Sequence, residues 1–167
     1  MRLQSIVEAV FPPDCLSCGG HIDAAFAICG TCWADTPFIL GAACDSCGKG
    51  LPGQTPEPGE LLICDECMAL PRPWARGRAV MDYADVGRRL VLAMKHGDRA
   101  DIARAAGKWM ARAGADLLDG DPLVVPIPLH WLRMAKRRFN QSALLAQAFA
   151  RETGLELAPQ ALSRPRA

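Results

Sequence analysis

Eight cysteines, all in pairs separated by two residues, constrain this chain more than any other feature. The pairs are CLSC (Cys15, Cys18), CGTC (Cys29, Cys32), CDSC (Cys44, Cys47) and CDEC (Cys64, Cys67), and no cysteine lies outside them. A two-residue gap lets a tight turn aim both sulfurs at one point. Two such turns supply four thiolates for a tetrahedral zinc ion, with bonds of about 2.3 Å. Glycine follows the first cysteine pair in CLSCGG and the third in CDSCGKG, where such a turn needs a residue that accepts positive φ. The economical reading is two consecutive zinc ribbons, residues 13–33 and 42–68, each closing on its own metal. Sequential pairing closes the shorter loops and costs less entropy. An interleaved arrangement, first pair with third and second with fourth, remains open at this stage.

Other uses of paired cysteines fit less well. Disulfides belong to secreted proteins, a redox C-x-x-C usually stands singly beside a βαβ unit, and four thiolates also suit iron. Four thiolates close the coordination shell of zinc, so the sites read as structural rather than catalytic. Residues 13–68 are rich in Gly and Pro and poor in large apolar side chains. Metal must then supply folding energy, on the order of 10 kcal/mol or more per site. His21, inside the first ribbon, is expected at the surface and not among the ligands.

Charge divides the chain. Residues 1–74 hold three Lys/Arg against nine Asp/Glu, and residues 75–167 hold sixteen against nine. Each Zn(Cys)4 centre adds formal negative charge to the acidic half. That argues against direct nucleic-acid binding by the ribbons, which would need a basic face. No apolar run is long enough for a membrane span. The N-terminus MRLQSIVEAVFPP has no signal-peptide pattern and reads as a short amphipathic helix, Leu3 to Val10. The expected compartment is the cytoplasm, where thiols stay reduced.

The proline-rich joint ALPRPW (69–74) marks a boundary. The expected organisation is a double zinc ribbon module over residues 1–70 and a second unit over 71–167. Ala79 to Tyr83 reads as a strand, and Asp85 as the cap of a helix over Val86 to His96. That helix has an apolar stripe of Val86, Leu90, Val91 and Met94, with Gly97 as a left-handed stop. A second helix is expected from about Asp101 to Leu118, with Ile102, Ala105, Trp109, Met110, Ala113 and Leu117 inward. LVVPIP (123–128) reads as a buried strand of a parallel sheet. A third helical stretch follows, and then a helix over Ser142 to Thr153 that Gly154 stops. Strand, helices, strand, helix predicts the start of an α/β fold. In such folds the ligand sits beyond the C-terminal ends of the strands. Here that place holds PLHWLRMAKRRFNQ, with Arg133, Lys136, Arg137 and Arg138 beside Asn140 and Gln141. Dense cationic donors of this kind match phosphate or pyrophosphate; the bland alternative is a solvated basic face.

Four C-x2-C pairs, then YADVGRRLVLAMKHGD, then VPIPLHWLRMAKRRFNQSALLA resemble the ComF family of competence-associated proteins. The family is described as a double zinc ribbon joined to a type I phosphoribosyltransferase domain, and the resemblance runs from about residue 11 to the end. The sequence departs from it at His96, where the family usually has an aromatic residue, and at Arg138, where it often has glycine. The acidic Thr/Gly-rich loop (V-D-D-x-x-T-T-G) that wraps phosphoribosyl pyrophosphate in type I phosphoribosyltransferases does not occur in these 167 residues. The expectation is therefore of an incomplete chain, itself inactive.

The resemblance implies two structural zinc ions held by Cys15, Cys18, Cys29, Cys32, Cys44, Cys47, Cys64 and Cys67. It also implies a full-length protein that binds phosphoribosyl pyrophosphate with Mg²⁺ and takes part in DNA uptake during competence. Lys95, Lys136, Arg137, Asn140 and Gln141 would line the pyrophosphate side; no catalytic base can be named. The alternative is a non-enzymatic adaptor. Its acidic zinc module would dock a partner such as a helicase of DNA uptake, and its basic half would touch single-stranded DNA.

Overall fold

Three amphipathic segments make the longest helices in the computed structural model, which describes residues 12–57, 59–130 and 139–165. Two short helices carry the cysteine turns, α1 (Gly30–Ala34) and α2 (Asp65–Ala69). The long ones are α3 (Asp85–His96), α4 (Ile102–Ala113) and α5 (Gln141–Thr153). A single 3-10 turn, Ala115–Leu117, follows α4. The expected helix over Leu3 to Val10 and the helical stretch after Pro128 lie outside the described residues, apart from the latter's edges.

Helix α3 buries Val86, Gly87, Leu90 and Met94, close to the stripe read from the sequence. Its ends differ from expectation. Asp85 is the first helical residue, with φ 42°, and caps nothing; the extended Ala84 precedes it. Gly97 is not left-handed either, at φ −107°, and Asp98 takes that conformation with φ 53°. Asp tolerates the left-handed region better than most residues, because its short polar side chain can bond locally. Gly97 instead meets a steric demand: a Cβ there would lie 2.8 Å from the Ala93 carbonyl oxygen. Helix α4 stops at Gly114, earlier than the expected Leu118. Helix α5 matches its signals. The Asn140 side chain accepts from the Ser142 amide, and Gly154 is left-handed at φ 76°. Helices α4 and α5 pack together. At their crossing a Cβ on Gly107 would come within 2.6 Å of the Ala148 methyl, so only glycine permits the approach.

The main core draws on both sides of residue 70. Cys15, Leu16, Ile28 and Cys32 of the first ribbon share one buried cluster with Val86, Leu90, Met94, Ile102, Ala103 and Ala105. Burying side chains such as Val86 and Leu90 stabilises the fold by roughly 2 kcal/mol each. The second ribbon has a separate small cluster of Cys44, Cys64 and Cys67, with Cys47 and Leu51 against it.

The expected α/β sheet is not formed among the described residues, where strand pairing consists of isolated bridges. Residues 37–39 run antiparallel to 80–82, with the Ile39 amide donating to the Val80 carbonyl and the Asp82 amide to Pro37. Two bridges are parallel: Gly48 with Arg78, and Val124 with Leu157 through bonds from the Val124 amide to Glu156 and from the Ala158 amide to Val124. The reason lies in the LVVPIP segment itself. Pro126 and Pro128 have no N–H to give, and the Ile127 amide donates to Ser142 Oγ at 2.9 Å. One parallel bridge with a helix between its partners has the connectivity of a βαβ unit, but a phosphoribosyltransferase-like fold does not follow from it.

Candidate functional site

Each ribbon brings its own four sulfurs together. The Sγ atoms of Cys15, Cys18, Cys29 and Cys32 all lie within 4.8 Å of one another, and so do those of Cys44, Cys47, Cys64 and Cys67. Pairing is therefore sequential and not interleaved. All eight thiols are free of disulfides. The Cys18–Cys29 and Cys47–Cys64 sulfur separations are both 3.8 Å. A tetrahedron with bonds of about 2.3 Å has edges of about 3.8 Å, so the donor set fits zinc.

The local chain explains this convergence. In the first ribbon the Gly19 amide donates to the Cys15 carbonyl, and Gly19 has φ 75°; in the second, the Gly48 amide donates to Cys44, and Gly48 has φ 80°. The other pair of each ribbon opens a short helix. Cys29 is the residue before α1 and Cys64 the residue before α2. Backbone amides then point at sulfur. Cys29 N–H donates to Cys15 Sγ at 3.2 Å, and Cys64 N–H to Cys44 Sγ at 3.3 Å.

These donors shape the thiols' acidity. Burial pushes the Cys15 thiol up, but amides of Cys18, Cys29 and Ser17 outweigh it and bring it down to about 6. Cys44 behaves likewise: burial raises it, and the Cys64, Cys47 and Ser46 amides lower it to about 6. Burial and neighbouring sulfurs push Cys32 up to about 12 against a Ser17 hydrogen bond. At Cys47 an amide from Lys49 lowers the thiol, and burial with three sulfur neighbours overrides it, again to about 12. Burial raises the Cys67 thiol, but hydrogen bonds with Arg72 and Ser46 lower it on balance. Thiolates form readily at these lowered positions, and metal must displace protons from Cys32 and Cys47.

His21 lies at the surface with its Nδ1 2.8 Å from Asp14 Oδ1, outside the four-sulfur set, as expected. Of the residues assigned to a pyrophosphate site, Lys136 and Arg137 lie outside the described residues. Asn140 and Gln141 sit at the start of α5. Asn140 Nδ2 donates to the Ile127 carbonyl at 3.2 Å, which ties the end of the Val124 segment to the helix. Gln141 is buried, and its Nε2 lacks a partner among the described residues. Lys95 is exposed on the last turn of α3. Among the described residues no hydrogen bond or ion pair joins it to Asn140 or Gln141.

The sequence reading missed the residues that fasten the second ribbon. Arg78 donates to Asp45 Oδ1 at 2.6 Å and also reaches Asp116; Arg76 bonds the same two carboxylates. Burial raises the Asp45 carboxyl, but the Arg78 and Arg76 guanidiniums and the Leu62 amide hold it below the ordinary range. Arg-Gly-Arg at 76–78 was the available signal: two guanidiniums on one side of an extended chain, with a glycine between them.

A family model described as a double zinc ribbon domain matches residues 6–73. The DNA utilization protein YhgH of Escherichia coli is 31% identical over 155 residues, which cover 83% of this chain and 68% of that protein. The chain belongs to the YhgH family. YhgH of Salmonella typhimurium is 35% identical over 130 residues, 74% of this chain and 54% of that protein, so the chain spans about half the length of that relative. YhgH of Shigella flexneri is 30% identical over 155 residues. The likeness to YhgH extends past the ribbons into the helical half, since 155 residues exceed the span of the ribbon match. No solved structure matches the chain. No helix among the described residues is long and apolar enough to cross a membrane.

Proposed function

We propose that this chain is the zinc-ribbon front and the opening α/β segment of a ComF-type protein that handles DNA in the cytoplasm and, at full length, binds phosphoribosyl pyrophosphate. The two zinc sites are scaffolding; the phosphoribosyl chemistry belongs to the segment between the Val124 bridge and helix α5. The observation that carries this reading is the placement of Asn140 and Gln141. They open a helix that follows a chain segment paired in parallel with Leu157. Ligands of α/β folds bind at that end of a parallel pair, and a helix N-terminus favours anions. Lys136 and Arg137 belong to the same connection and would supply the charge-assisted bonds to a diphosphate. Mg²⁺ would neutralise the diphosphate when the ligand binds. The relatives' printed name, DNA utilization protein, supports the DNA half of the reading.

Isothermal titration with pyrophosphate and Mg²⁺ tests the phosphoribosyl half. Arg137→Glu should weaken binding about tenfold or more, the size expected when a charge-assisted contact becomes repulsive. Unchanged affinity would return the segment to a solvated basic face.

A further inference from the structure

The aromatic side chains of the first ribbon and the cations of helix α4 are remote in sequence, yet they form one surface. Arg104, Lys108 and Arg112 are exposed and recur every four residues on α4. That spacing puts them on one face, about 6 Å apart along the axis. The ribbon's aromatics run beside them. At one end the Arg104 guanidinium lies 4.5 Å above the Phe26 ring, which is 41% exposed. Phe26 has φ 58°, a region that glycine favours and a bulky residue enters at a cost. At the other end Trp33, 44% exposed, packs against Phe38 with ring centroids 4.5 Å apart and planes tilted by 40°. Both rings meet the edge of Trp109, at 6.4 and 5.6 Å. Trp33, Phe38, Leu40, Val80, Trp109 and Arg112 line a hollow of about 320 Å³.

We infer that this face, from Phe26 and Arg104 to Trp33 and Arg112, binds single-stranded nucleic acid. The inference rests on the DNA half of the proposed function and is independent of the phosphoribosyl half. Charge complementarity favours this occupant. Arg76, Arg78, Lys49 and Arg99 are all engaged by carboxylates, whereas among the described residues Lys108 and Arg112 form no ion pair. Three acids border the face: Glu152 near Arg104 and Arg151, and Asp14 and Asp101 beside Phe26, of which Asp14 contacts His21 and Asp101 is paired with Arg99. A row of cations beside exposed rings is what a single strand needs: phosphates meet the cations and unpaired bases stack on the aromatics. A duplex offers its phosphates but keeps its bases stacked. The ribbons are acidic as a whole, so the contact uses their rings and takes its positive charge from α4.

The test is fluorescence titration of the zinc-loaded chain with a short oligothymidylate, and with the same length of duplex DNA. The single strand should bind more tightly and quench tryptophan emission. With three phosphate contacts, log affinity should fall with log salt at a slope of about −2. Lys108→Ala with Arg112→Ala, both at exposed positions, should weaken binding about tenfold and flatten the slope by about 1.4, with zinc content and helicity unchanged. Trp33→Leu should remove most of the quenching and weaken binding about tenfold. Full affinity in the double alanine variant would overturn the inference. So would equal binding of duplex, or binding of polyglutamate without quenching, which would make the face a site for acidic peptides. Loss of oligothymidylate binding on Arg137→Glu alone would move the DNA site to the other segment. Pyrophosphate titration of the double alanine variant separates the two readings, since it should be unaffected if both hold.

Discussion

The two ribbons carry the same donor set on nearly the same turns, yet the rest of the molecule holds them by different means. The first contributes Cys15, Leu16, Ile28 and Cys32 to the main core, against helices α3 and α4. The second keeps its sulfurs in a cluster of its own. It is attached by polar and backbone contacts: Arg76 and Arg78 on Asp45, the Gly77 amide on the Asp45 carbonyl, and Trp74 Nε1 on the Ser46 carbonyl at 2.7 Å. The difference teaches that a metal site can be part of a core or an attachment to it, and that ligand spacing does not distinguish the two.

The largest effect that would break this comparison is loss of one metal. Cys15→Ser should cost on the order of 10 kcal/mol at the first site and loosen helix α3 with it, because Val86, Leu90 and Met94 lose their ribbon-side partners. Cys44→Ser should leave one zinc per chain and open residues 42–68 to protease while α3, α4 and α5 keep their hydrogen-exchange protection. Equal protection losses in both variants would show that the ribbons are not held differently. A smaller effect is expected where the attachment is tightest. A Cβ on Gly48 would fall 2.5 Å from the Ala79 amide nitrogen, and Gly48 also needs its positive φ. Gly48→Ala should therefore cost about 3 kcal/mol and raise exchange in residues 42–68, with the first ribbon unchanged.

The smallest effect concerns Asp45, whose network reaches water through Arg76 and Asp116 and is screened there. Asp45→Asn should cost about 2 kcal/mol near neutral pH. Its folded carboxyl is held below the ordinary value of about 4. The ion pair therefore adds stability above that value and loses it as pH falls through the lowered folded one. Denaturant midpoints of wild type and variant should converge as pH drops towards and below 4. A constant gap would mean that Asp45 acts by packing alone.

The zinc sites were legible because a C-x2-C turn is a local device: Cys15 to Cys18 and Gly19 fix their own geometry. Helix α5 was legible for the same reason, through Asn140 at its start and Gly154 at its end. The stop of α3 was not, since an unusual φ can pass from Gly97 to Asp98 when close contact with Ala93 engages the glycine. The expected sheet reduced to bridges because Ser142, fifteen residues away, takes the Ile127 amide. The meeting of Trp33 and Phe38 with Trp109, and of Asp45 with Arg78, depends on long-range packing that no periodicity records.

The shared core also orders events during synthesis. The second ribbon can close on its metal once residue 67 has left the ribosome, because every partner in its cluster lies between Cys44 and Cys67. The first ribbon emerges earlier but keeps an uncovered oily flank until Ile102, Ala103 and Ala105 have been made. The segment translated first is thus the one that matures last, and while it waits it is the part of the nascent chain most in need of a chaperone.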